Sequence, residues 1–312
     1  MDYLRQGAAS VADLQFGVSI RGTDIDHVTA IEALGFDSVW TGEHMLFHGP
    51  VTDGLITLAA CAGMTSRIKI GSAINLLPLR PPVVVAKAVS TLDVVSKGRF
   101  IFGIGVGGEF PKEFVACGVP HHERGRRANE AIEICRKLWT EDHVTYQGKI
   151  FQLYDVTMLP KPVQPGGPPI IVSGRSEAAM RRAARLGDGY MPYLFTPERY
   201  AESLKKIYAI ASAQRRDMSC FTPYHLVFTA LGETPEEAHR LAVEKLSRRY
   251  NQPFEHLVER YCALGTPKEC IERLQRFVDA GARHIILSPL CDDEILGQHL
   301  DLYARDILPQ FR

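Results

Sequence analysis

The sequence predicts an α/β fold, a closed (β/α)8 barrel of the TIM type with insertions. Short runs rich in β-branched and aromatic residues alternate with amphipathic stretches along the chain, which is the pattern of repeated βα units around a parallel sheet. Eight such units can be counted within 312 residues, and this favours a closed barrel over an open doubly wound sheet. Because no linker interrupts the alternation, we expect a single domain over residues 1–312.

The predicted strands are short apolar runs bounded by residues that favour turns. Their order along the chain sets the order of the βα units. They cover residues 14–20, 37–42, 68–75, 100–106, 169–174, 189–195, 224–231 and 284–290.

The predicted helices lie between these strands, and three of them begin with a Thr-Pro pair. A Thr at the cap accepts a hydrogen bond from a free backbone amide, and a Pro in the first turn has no amide to leave unpaired. The predicted helices cover residues 24–34, 54–65, 82–96, 124–140, 176–186, 197–213, 235–250 and 267–280.

Two stretches do not fit the plain alternation and predict insertions. Residues 144–159 contain two alternating runs around a Gln-Gly-Lys turn, which predicts a β-hairpin. Residues 251–265 form a further excursion before the last unit.

The charges of the chain balance, with 36 Lys and Arg against 36 Asp and Glu. No bulk positive field is present to attract nucleic acid or an anionic membrane, so we expect a small-molecule substrate and neither of those partners. No apolar run reaches the roughly 18 residues of a membrane span, and the opening segment MDYLRQGAAS is too polar for a signal peptide. The seven scattered cysteines indicate free thiols in the cytoplasm.

The residues that act on ligands in such a barrel gather after the carboxyl ends of the strands. That rule selects Glu43 and His44 after the second predicted strand, Asn75 at the end of the third, and Glu109 after the fourth. A histidine beside a carboxylate exchanges protons with substrates in many enzymes, and it also serves as a capping or packing residue. The position of His44 in the barrel makes it a candidate acid or base.

The fourth predicted strand ends in Gly103, Gly105, Gly107 and Gly108. Glycine removes side-chain bulk where a backbone approaches a ligand closely. Glycines also occur where two segments pack closely inside a barrel. Without a P-loop lysine or a full dinucleotide fingerprint, the pattern leaves both interpretations open.

A candidate anion site follows the fifth predicted strand, where Ser173, Gly174, Arg175 and Ser176 lead into a helix. The helix dipole, the serine hydroxyls and the guanidinium all favour a negative group such as a phosphate. An ordinary helix cap is the alternative interpretation.

Other chemistries have little support in the sequence. No HExxH motif, CxxC pair or carboxylate cluster predicts a metal, and no GxSxG motif predicts a serine hydrolase. A phosphate-sugar aldolase or isomerase on the same barrel is disfavoured because no lysine stands at the carboxyl end of a predicted strand.

Five strings in order along the chain resemble the luciferase-like monooxygenase superfamily, which includes flavin-dependent monooxygenases and reductases that use the deazaflavin F420. Five ordered matches are far more specific than one glycine pattern. The strings are AIEALGFDSVWTGEH at 30–44, LITLAACAGMTSRIKIGSAI at 55–74, RPPVVVAKAVSTLDVVSKGRFIFGIGVGG at 80–108, KEFVACGVPHHERGRRANEAIEICRKLWT at 112–140 and PPIIVSGRSEAAMRRAARLGDGYMP at 168–192.

The resemblance implies a flavin- or deazaflavin-dependent oxidoreductase acting on a small organic substrate. The cofactor is then either reduced FMN, which activates O2 and implies a separate flavin reductase, or F420, which transfers a hydride. Proteins of this class often form dimers through barrel helices, so we expect a homodimer. The alternative is a non-catalytic flavin-binding barrel, because a fold alone does not define an activity.

The resemblance also suggests roles for individual residues. The Glu43–His44 pair is similar to the acidic-His pair that lies beside the redox ring in F420-dependent members, where the histidine is the acid or base. In one F420-dependent branch a glutamate after the fourth-strand glycines donates a proton, and Glu109 is offset from that position by one residue. We therefore expect His44 and Glu109 to be the catalytic candidates.

The same resemblance implies a set of cofactor-binding residues. One group corresponds to a strand end where a non-proline cis peptide often supports the ring, and another corresponds to the loop that holds the cofactor phosphate. The implied cofactor-binding residues are Glu43, Ala73, Ile74, Asn75, Gly107, Gly108, Ser173, Gly174, Arg175 and Ser176.

Overall fold

The computed structural model describes residues 14–312, so the opening segment MDYLRQGAAS lies outside the described residues. Most of the strands are short and buried. They are β1 (Gln15–Ser19), β2 (Ser38–Thr41), β3 (Lys69–Ser72), β4 (Asn75–Leu76), β5 (Phe100–Gly105), β6 (Val144–Gln147), β7 (Gln152–Val156), β8 (Ile170–Ser173), β9 (Gly189–Met191), β10 (Thr222–Leu231), β11 (Ala263–Gly265) and β12 (His284–Pro289).

Eight of these strands form the closed parallel barrel that the sequence predicts. The ring runs β1, β2, β3, β5, β8, β9, β10, β12, and β12 pairs with β1 to close it. The strand β4 continues the line of β3 and pairs with the end of β5. Because every pair in the ring is parallel, all carboxyl ends face one rim, which we call the mouth.

Helices follow the strands and cover the outside of the barrel. In the described part of the chain, no helix is long and apolar enough to cross a membrane. The helices are α1 (Val28–Ala33), α2 (Gly54–Met64), α3 (Pro82–Val95), α4 (Pro111–Ala116), α5 (Arg124–Thr140), α6 (Glu177–Leu186), α7 (Pro197–Ala213), α8 (Pro235–Tyr250), α9 (Val258–Tyr261), α10 (Pro267–Asp279) and α11 (Leu296–Leu302).

The barrel interior is filled around the indole of Trp40. A Cβ atom on Gly17 would lie 2.6 Å from its Nε1 atom, and one on Gly71 would lie 2.3 Å from its Cε3 atom. Neighbouring strands therefore carry glycine where β2 carries the largest side chain. The indole donates to Ser38 Oγ over 2.7 Å, and that hydroxyl lies 2.6 Å from Nε2 of His284. This fixed interior separates the mouth from the opposite end of the barrel.

The strands β6 and β7 pair as an antiparallel hairpin at the segment where the sequence predicts one. They lie between α5 and β8. The backbone amides of residues 149–151 donate to the carboxylate of Glu130 on α5, which ties the hairpin turn to the barrel helix.

The largest departure from the sequence prediction lies between β10 and β12. The end of β10 extends past the barrel and pairs with β11, and α8 and α9 lie between these two strands in the chain. Residues 232–265 therefore form a capping segment over the mouth, which begins earlier than the insertion expected at 251–265. The helix that packs against the barrel between β10 and β12 is α10, and its Cys270, Leu274 and Phe277 are part of the main core. The helix α8, at residues 235–250, is therefore not the barrel helix that follows β10.

The capping segment has an apolar core of its own. Its residues pack on side chains from the carboxyl ends of β9, β10 and β12, and this cluster is separate from the main core. The cluster comprises Leu194, Phe228, Ala230, Ala238, Ala242, Leu246, Phe254, Val258, Cys262 and Leu290.

Candidate active site

The predicted site residues lie together at the mouth of the barrel. His44, Glu109 and Arg175 follow three different strands, and the charges of His44 and Arg175 both act on the carboxyl of Glu109. The sequence placed these residues on separate loops, and the closed parallel ring brings the loops together.

Glu43 is buried and supports the site from below. Its Oε1 accepts from Asn75 Nδ2 and Leu76 N, both at 2.8 Å, and from Arg80 at 2.6 Å. Its Oε2 accepts from Arg80 at 3.0 Å and from Gly54 N at 3.3 Å. The carboxylate has these five donors, so it orients β4 and does not present an oxygen to the mouth.

The imidazole of His44 is held by a second buried carboxylate. Its Nδ1 atom lies 3.2 Å and 3.3 Å from the two oxygens of Glu113, a fully buried residue of α4. The ring of Phe47 stacks on the imidazole with the centroids 4.0 Å apart. One nitrogen and one face of the ring are thus fixed, and Nε2 is the nitrogen that remains for a ligand.

Glu109 lies in the turn after β5, and part of its side chain is exposed at the mouth. The surrounding protein nevertheless desolvates its carboxyl and raises its pKa, while the charges of His44 and Arg175 act to lower it. The hydroxyl of Tyr193 donates to its Oε1. A carboxyl with a raised pKa beside a histidine is typical of acid–base sites.

The end of β3 forms a half-buried apolar surface at the mouth. The peptide bond between Ala73 and Ile74 is cis, as the resemblance implied for this strand end. Both side chains are only partly buried and pack against the barrel interior. Next to them, Asn75 is buried, and its Oδ1 has no hydrogen-bond partner among the described residues.

The glycines of β5 are explained first by close packing. A Cβ atom on Gly103 would lie 1.9 Å from the backbone oxygen of Ser72, and one on Gly105 would lie 1.8 Å from Cδ1 of Ile74. Gly107 and Gly108 have φ angles of 64° and 121°, which favour glycine in the turn that leads to Glu109. Close packing between strands, rather than the approach of a ligand, therefore explains Gly103 and Gly105.

The loop after β8 presents an arginine and a helix amino end to the mouth side. Ser173 is buried, whereas Arg175 and Ser176 are exposed. Ser176 caps α6 by accepting from Ala179 N at 3.3 Å, and Gly174 has a φ of 138°. Ser176 thus forms the ordinary helix cap of the alternative interpretation, and the anion site beside the exposed Arg175 stays a prediction.

Several residues that complete the site were not found from the sequence. Glu113 lies on α4, a short helix that was not predicted, although the Pro-Lys-Glu start at 111–113 is typical of a first helical turn. The guanidinium of Arg175 lies 5.0 Å from the ring centroid of Tyr193, and Arg199 donates to the carbonyl of Arg175 at 3.1 Å. These contacts join residues from different units, so no local sequence pattern reveals them.

The described residues contain no group of three or more His, Cys, Asp or Glu side chains that could hold a metal ion. A cavity of about 200 Å³ lies at the amino ends of the strands, lined in part by Lys69, Asp188 and Tyr224. It opens on the opposite side of the barrel from the mouth.

Comparison with known proteins gives the family. The sequence profile of the luciferase-like monooxygenases matches residues 22–284. The chain is 28% identical to the F420-dependent glucose-6-phosphate dehydrogenase of Intrasporangium calvum, over 92% of this chain and 94% of the relative. It is 30% identical to the protein of the same name from Microbacterium testaceum, over 92% of this chain and 93% of that one.

Solved structures share the whole fold. Monooxygenase RslO1 from Streptomyces bottropensis superposes with a TM-score of 0.82 at 25% identity, covering 96% of this chain and 100% of that one. An F420-dependent secondary alcohol dehydrogenase, solved with an F420-acetone adduct, gives a TM-score of 0.84 at 22% identity over 96% and 99%.

The chain therefore belongs to the luciferase-like monooxygenase family. This confirms the family and the barrel expected from the sequence, and the chain is an oxidoreductase of this class.

Proposed function

We propose that this protein is an F420-dependent dehydrogenase or reductase that moves a hydride between the deazaflavin and a small organic substrate. The observation that carries the proposal is the pairing of His44 with the buried carboxylate of Glu113, at a distance of 3.2 Å, in the mouth that also contains Glu109. Hydride transfer to or from a carbon–oxygen bond requires a proton at the oxygen, and a positioned histidine exchanges it.

The residues at the end of β3 fit a flat ring. Ala73 and Ile74 offer apolar, half-buried surface, and the unpartnered Oδ1 of Asn75 beside them is an acceptor for a ring N–H. When bound, the deazaflavin supplies or accepts the hydride. Glu43 contributes by fixing Asn75 and Leu76 rather than by contacting the ring.

The loop after β8 fits the phosphate of the cofactor. Arg175, Ser176 and the open first turn of α6 supply a guanidinium, a hydroxyl and backbone amides. Arg199 adds a second positive charge at the same place. Gly107 and Gly108 shape the neighbouring turn through their positive φ angles.

Within the mouth, we assign the proton at the reacting oxygen to Nε2 of His44. Glu113 holds the opposite nitrogen, which keeps the imidazole in one orientation. Glu109 serves as a second proton carrier because the protein raises the pKa of its carboxyl. The relatives named F420-dependent glucose-6-phosphate dehydrogenase, which match over nine-tenths of both chains, support F420 as the cofactor.

The test is an anaerobic titration of the protein with FMN, reduced FMN, F420 and reduced F420, followed by admission of O2. We expect F420 to bind in preference to FMN, and substrate to change the F420 absorbance without O2. Failure to bind either cofactor in any redox state would contradict the proposal.

The second candidate function is a monooxygenase that uses reduced FMN delivered by a separate flavin reductase. It is supported by the similarity to monooxygenase RslO1 over the whole chain. In the same titration, tight binding of reduced FMN and a transient absorbance on admission of O2 would favour this function.

We propose that the protein forms a homodimer through α2 and α3. Side chains on the outer surface of these adjacent helices are mostly apolar, and Lys87 and Thr91 are the exposed polar residues of α3. An exposed apolar helix surface of this kind is typical of an interface. The surface, which we call the α2–α3 face, comprises Ile56, Ala59, Ala60, Gly63, Met64, Val83, Val84, Lys87, Val94 and Val95.

We also propose that the chain works in the cytoplasm as one domain. Its seven cysteines are all free, and four of them are buried, as expected for a reducing compartment.

A further inference from the structure

The cavity at the amino ends of the strands has no role in the proposed function. Its lining takes residues at or just before the first positions of β3, β5, β8, β9 and β10, which are consecutive neighbours in the ring. Its volume of about 200 Å³ is below the roughly 300–1,000 Å³ of pockets for drug-sized ligands. The cavity is therefore suited to a small molecule that reaches the barrel from the side opposite the mouth.

One side of this cavity is apolar. Ile101, Ile171 and Tyr224 line it, and all three belong to the cluster that fills the barrel interior. The ring of Tyr224 stacks on the imidazole of His284 with the centroids 4.7 Å apart, so this side of the cavity has a fixed shape. A concave apolar surface of this kind favours a ligand that covers it with an apolar group.

The lining also carries two cations that have no carboxylate partner within residues 14–312. Lys69 is exposed, and its Nζ atom donates to Gln15 Oε1 at a long 3.4 Å. The guanidinium of Arg99 donates to four backbone oxygens and to the hydroxyl of Thr65. Arg99 therefore has no N–H group to spare, and the ammonium of Lys69 is the donor that remains for a ligand.

The acidic residue of the lining does not offset these charges. Asp188 forms an ion pair with Arg136 at 2.7 Å, and its other oxygen lies 3.8 Å from Arg216. The backbone amide of Ile170 also donates to this carboxylate, at 2.8 Å. Because two arginines already balance Asp188, the cavity keeps a net positive charge and favours an anion.

We propose that this cavity is a binding site for a small monocarboxylate, whose carboxylate pairs with Lys69 and whose apolar body packs on Ile101 and Ile171. A single available ammonium matches one negative charge, whereas a phosphate is usually held by several charged donors. The site does not depend on the proposed function, because the packed interior around Trp40 separates it from the mouth.

The first test titrates the full chain by calorimetry with benzoate and with benzamide, a neutral molecule of the same shape. We expect benzoate to bind more tightly than benzamide, and Lys69→Gln to weaken benzoate binding about fivefold. Lys69→Arg should lose less, because it keeps the positive charge. The matched control is Lys205→Gln, at an exposed position of α7 outside the cavity, which should bind benzoate like the wild type.

The second test locates the bound benzoate with Cys220, an exposed cysteine that lines the cavity. At twice the benzoate Kd, alkylation of Cys220 by iodoacetamide should slow about threefold, because only unoccupied protein reacts. Peptide mass spectrometry follows Cys117 and Cys291 in the same sample, and their rates should not change. Lys69→Gln should lose most of this protection at the same benzoate concentration, and a thermal melt shows that its fold is intact.

Several outcomes would overturn the inference. The wild type may show no saturable benzoate binding, or it binds benzamide as tightly as benzoate. Lys69→Gln may bind benzoate as tightly as the wild type, or Lys205→Gln loses as much. Benzoate that binds without slowing the alkylation of Cys220 occupies another site, such as the mouth. Neither test needs a cofactor, so a protein that binds F420 but fails them keeps the proposed function and loses this inference.

Discussion

Two carboxylates and one arginine give His44 its surroundings, and each has a distinct task. Glu113 holds the imidazole directly, whereas Glu43 orients the neighbouring strand β4 with the help of Arg80. Glu43 therefore has a structural role, whereas His44 keeps Nε2 available for the acid–base role that we propose for it. The two residues are adjacent in the sequence, and only the structure shows that their side chains have different partners.

We expect His44→Asn to lower kcat by about 10²–10⁴-fold, the usual contribution of a general acid or base. Binding of F420 should change by less than about threefold, because Ala73 and Ile74, not His44, are the residues that we propose to contact the ring. The control is His48→Asn, whose exposed imidazole lies on the same loop. Steady-state kinetics and F420 fluorescence measure both quantities, and a His44→Asn variant that keeps half of the wild-type kcat would exclude the proposed role.

Tyr193→Phe should shift the pH profile in a defined direction. The Tyr193 hydroxyl donates to Glu109, which favours the ionised carboxylate, so removing it raises the pKa of Glu109 further. If protonated Glu109 is required, activity falls as the pH rises through this pKa, and the variant's alkaline limb should move to higher pH. Glu109→Gln should abolish that limb. An unchanged limb in Tyr193→Phe would show that the contact does not set the pKa.

At the level of elements, the eight barrel strands were predicted because each is a short apolar run between turn residues. The segment between β10 and β12 was predicted less accurately. The helix α8 has the same Thr-Pro start as the barrel helix α10, so sequence alone could not show that it caps the mouth. The helices α4 and α11 are short, and short helices depend on tertiary contacts more than on local pattern.

The ion pair between Arg80 and Glu43 provides a stability prediction. Arg80→Gln should lower the free energy of unfolding by about 3–5 kcal/mol, because it leaves the buried charge of Glu43 without its cation. The control is Arg67→Gln at an exposed position, which should change stability by no more than about 0.5 kcal/mol. Urea unfolding measures both, and equal midpoints for the two variants would argue against the role given to this ion pair.

At the scale of the whole molecule, two buried histidines link stability to pH. Burial lowers the pKa of His225 and of His284 from 6.5 to about 3. Between these values the unfolded chain holds protons that the folded chain does not, so stability is full above pH 6.5 and is lost as the pH falls towards 3. Each histidine contributes a slope of up to about 1.4 kcal/mol per pH unit.

His225→Phe isolates this effect, because the ring lies among Tyr200 and Phe277 in a fully buried site. Between pH 6 and pH 5 the variant should lose about 1 kcal/mol less stability than the wild type. Urea unfolding at several pH values measures the difference. Parallel stability curves for the two proteins would mean that His225 is not neutral when buried.

The assembly can be tested on the α2–α3 face. We expect the wild type to sediment as a dimer at micromolar concentration and Ala60→Arg to sediment as a monomer, because a buried unpaired charge opposes association. The control is Ala201→Arg on the exposed side of α7, which should remain dimeric. A monomeric wild type would contradict the proposed interface.

The separate apolar cluster beneath the capping segment has an evolutionary consequence. The buried residues of this cluster that lie on α8, Ala238, Ala242 and Leu246, are distinct from the main barrel core, so conservative substitutions on α8 can be accepted with little change to that core. Sequence change over evolutionary time can therefore accumulate in the capping segment while the eight-stranded barrel beneath it is inherited unchanged.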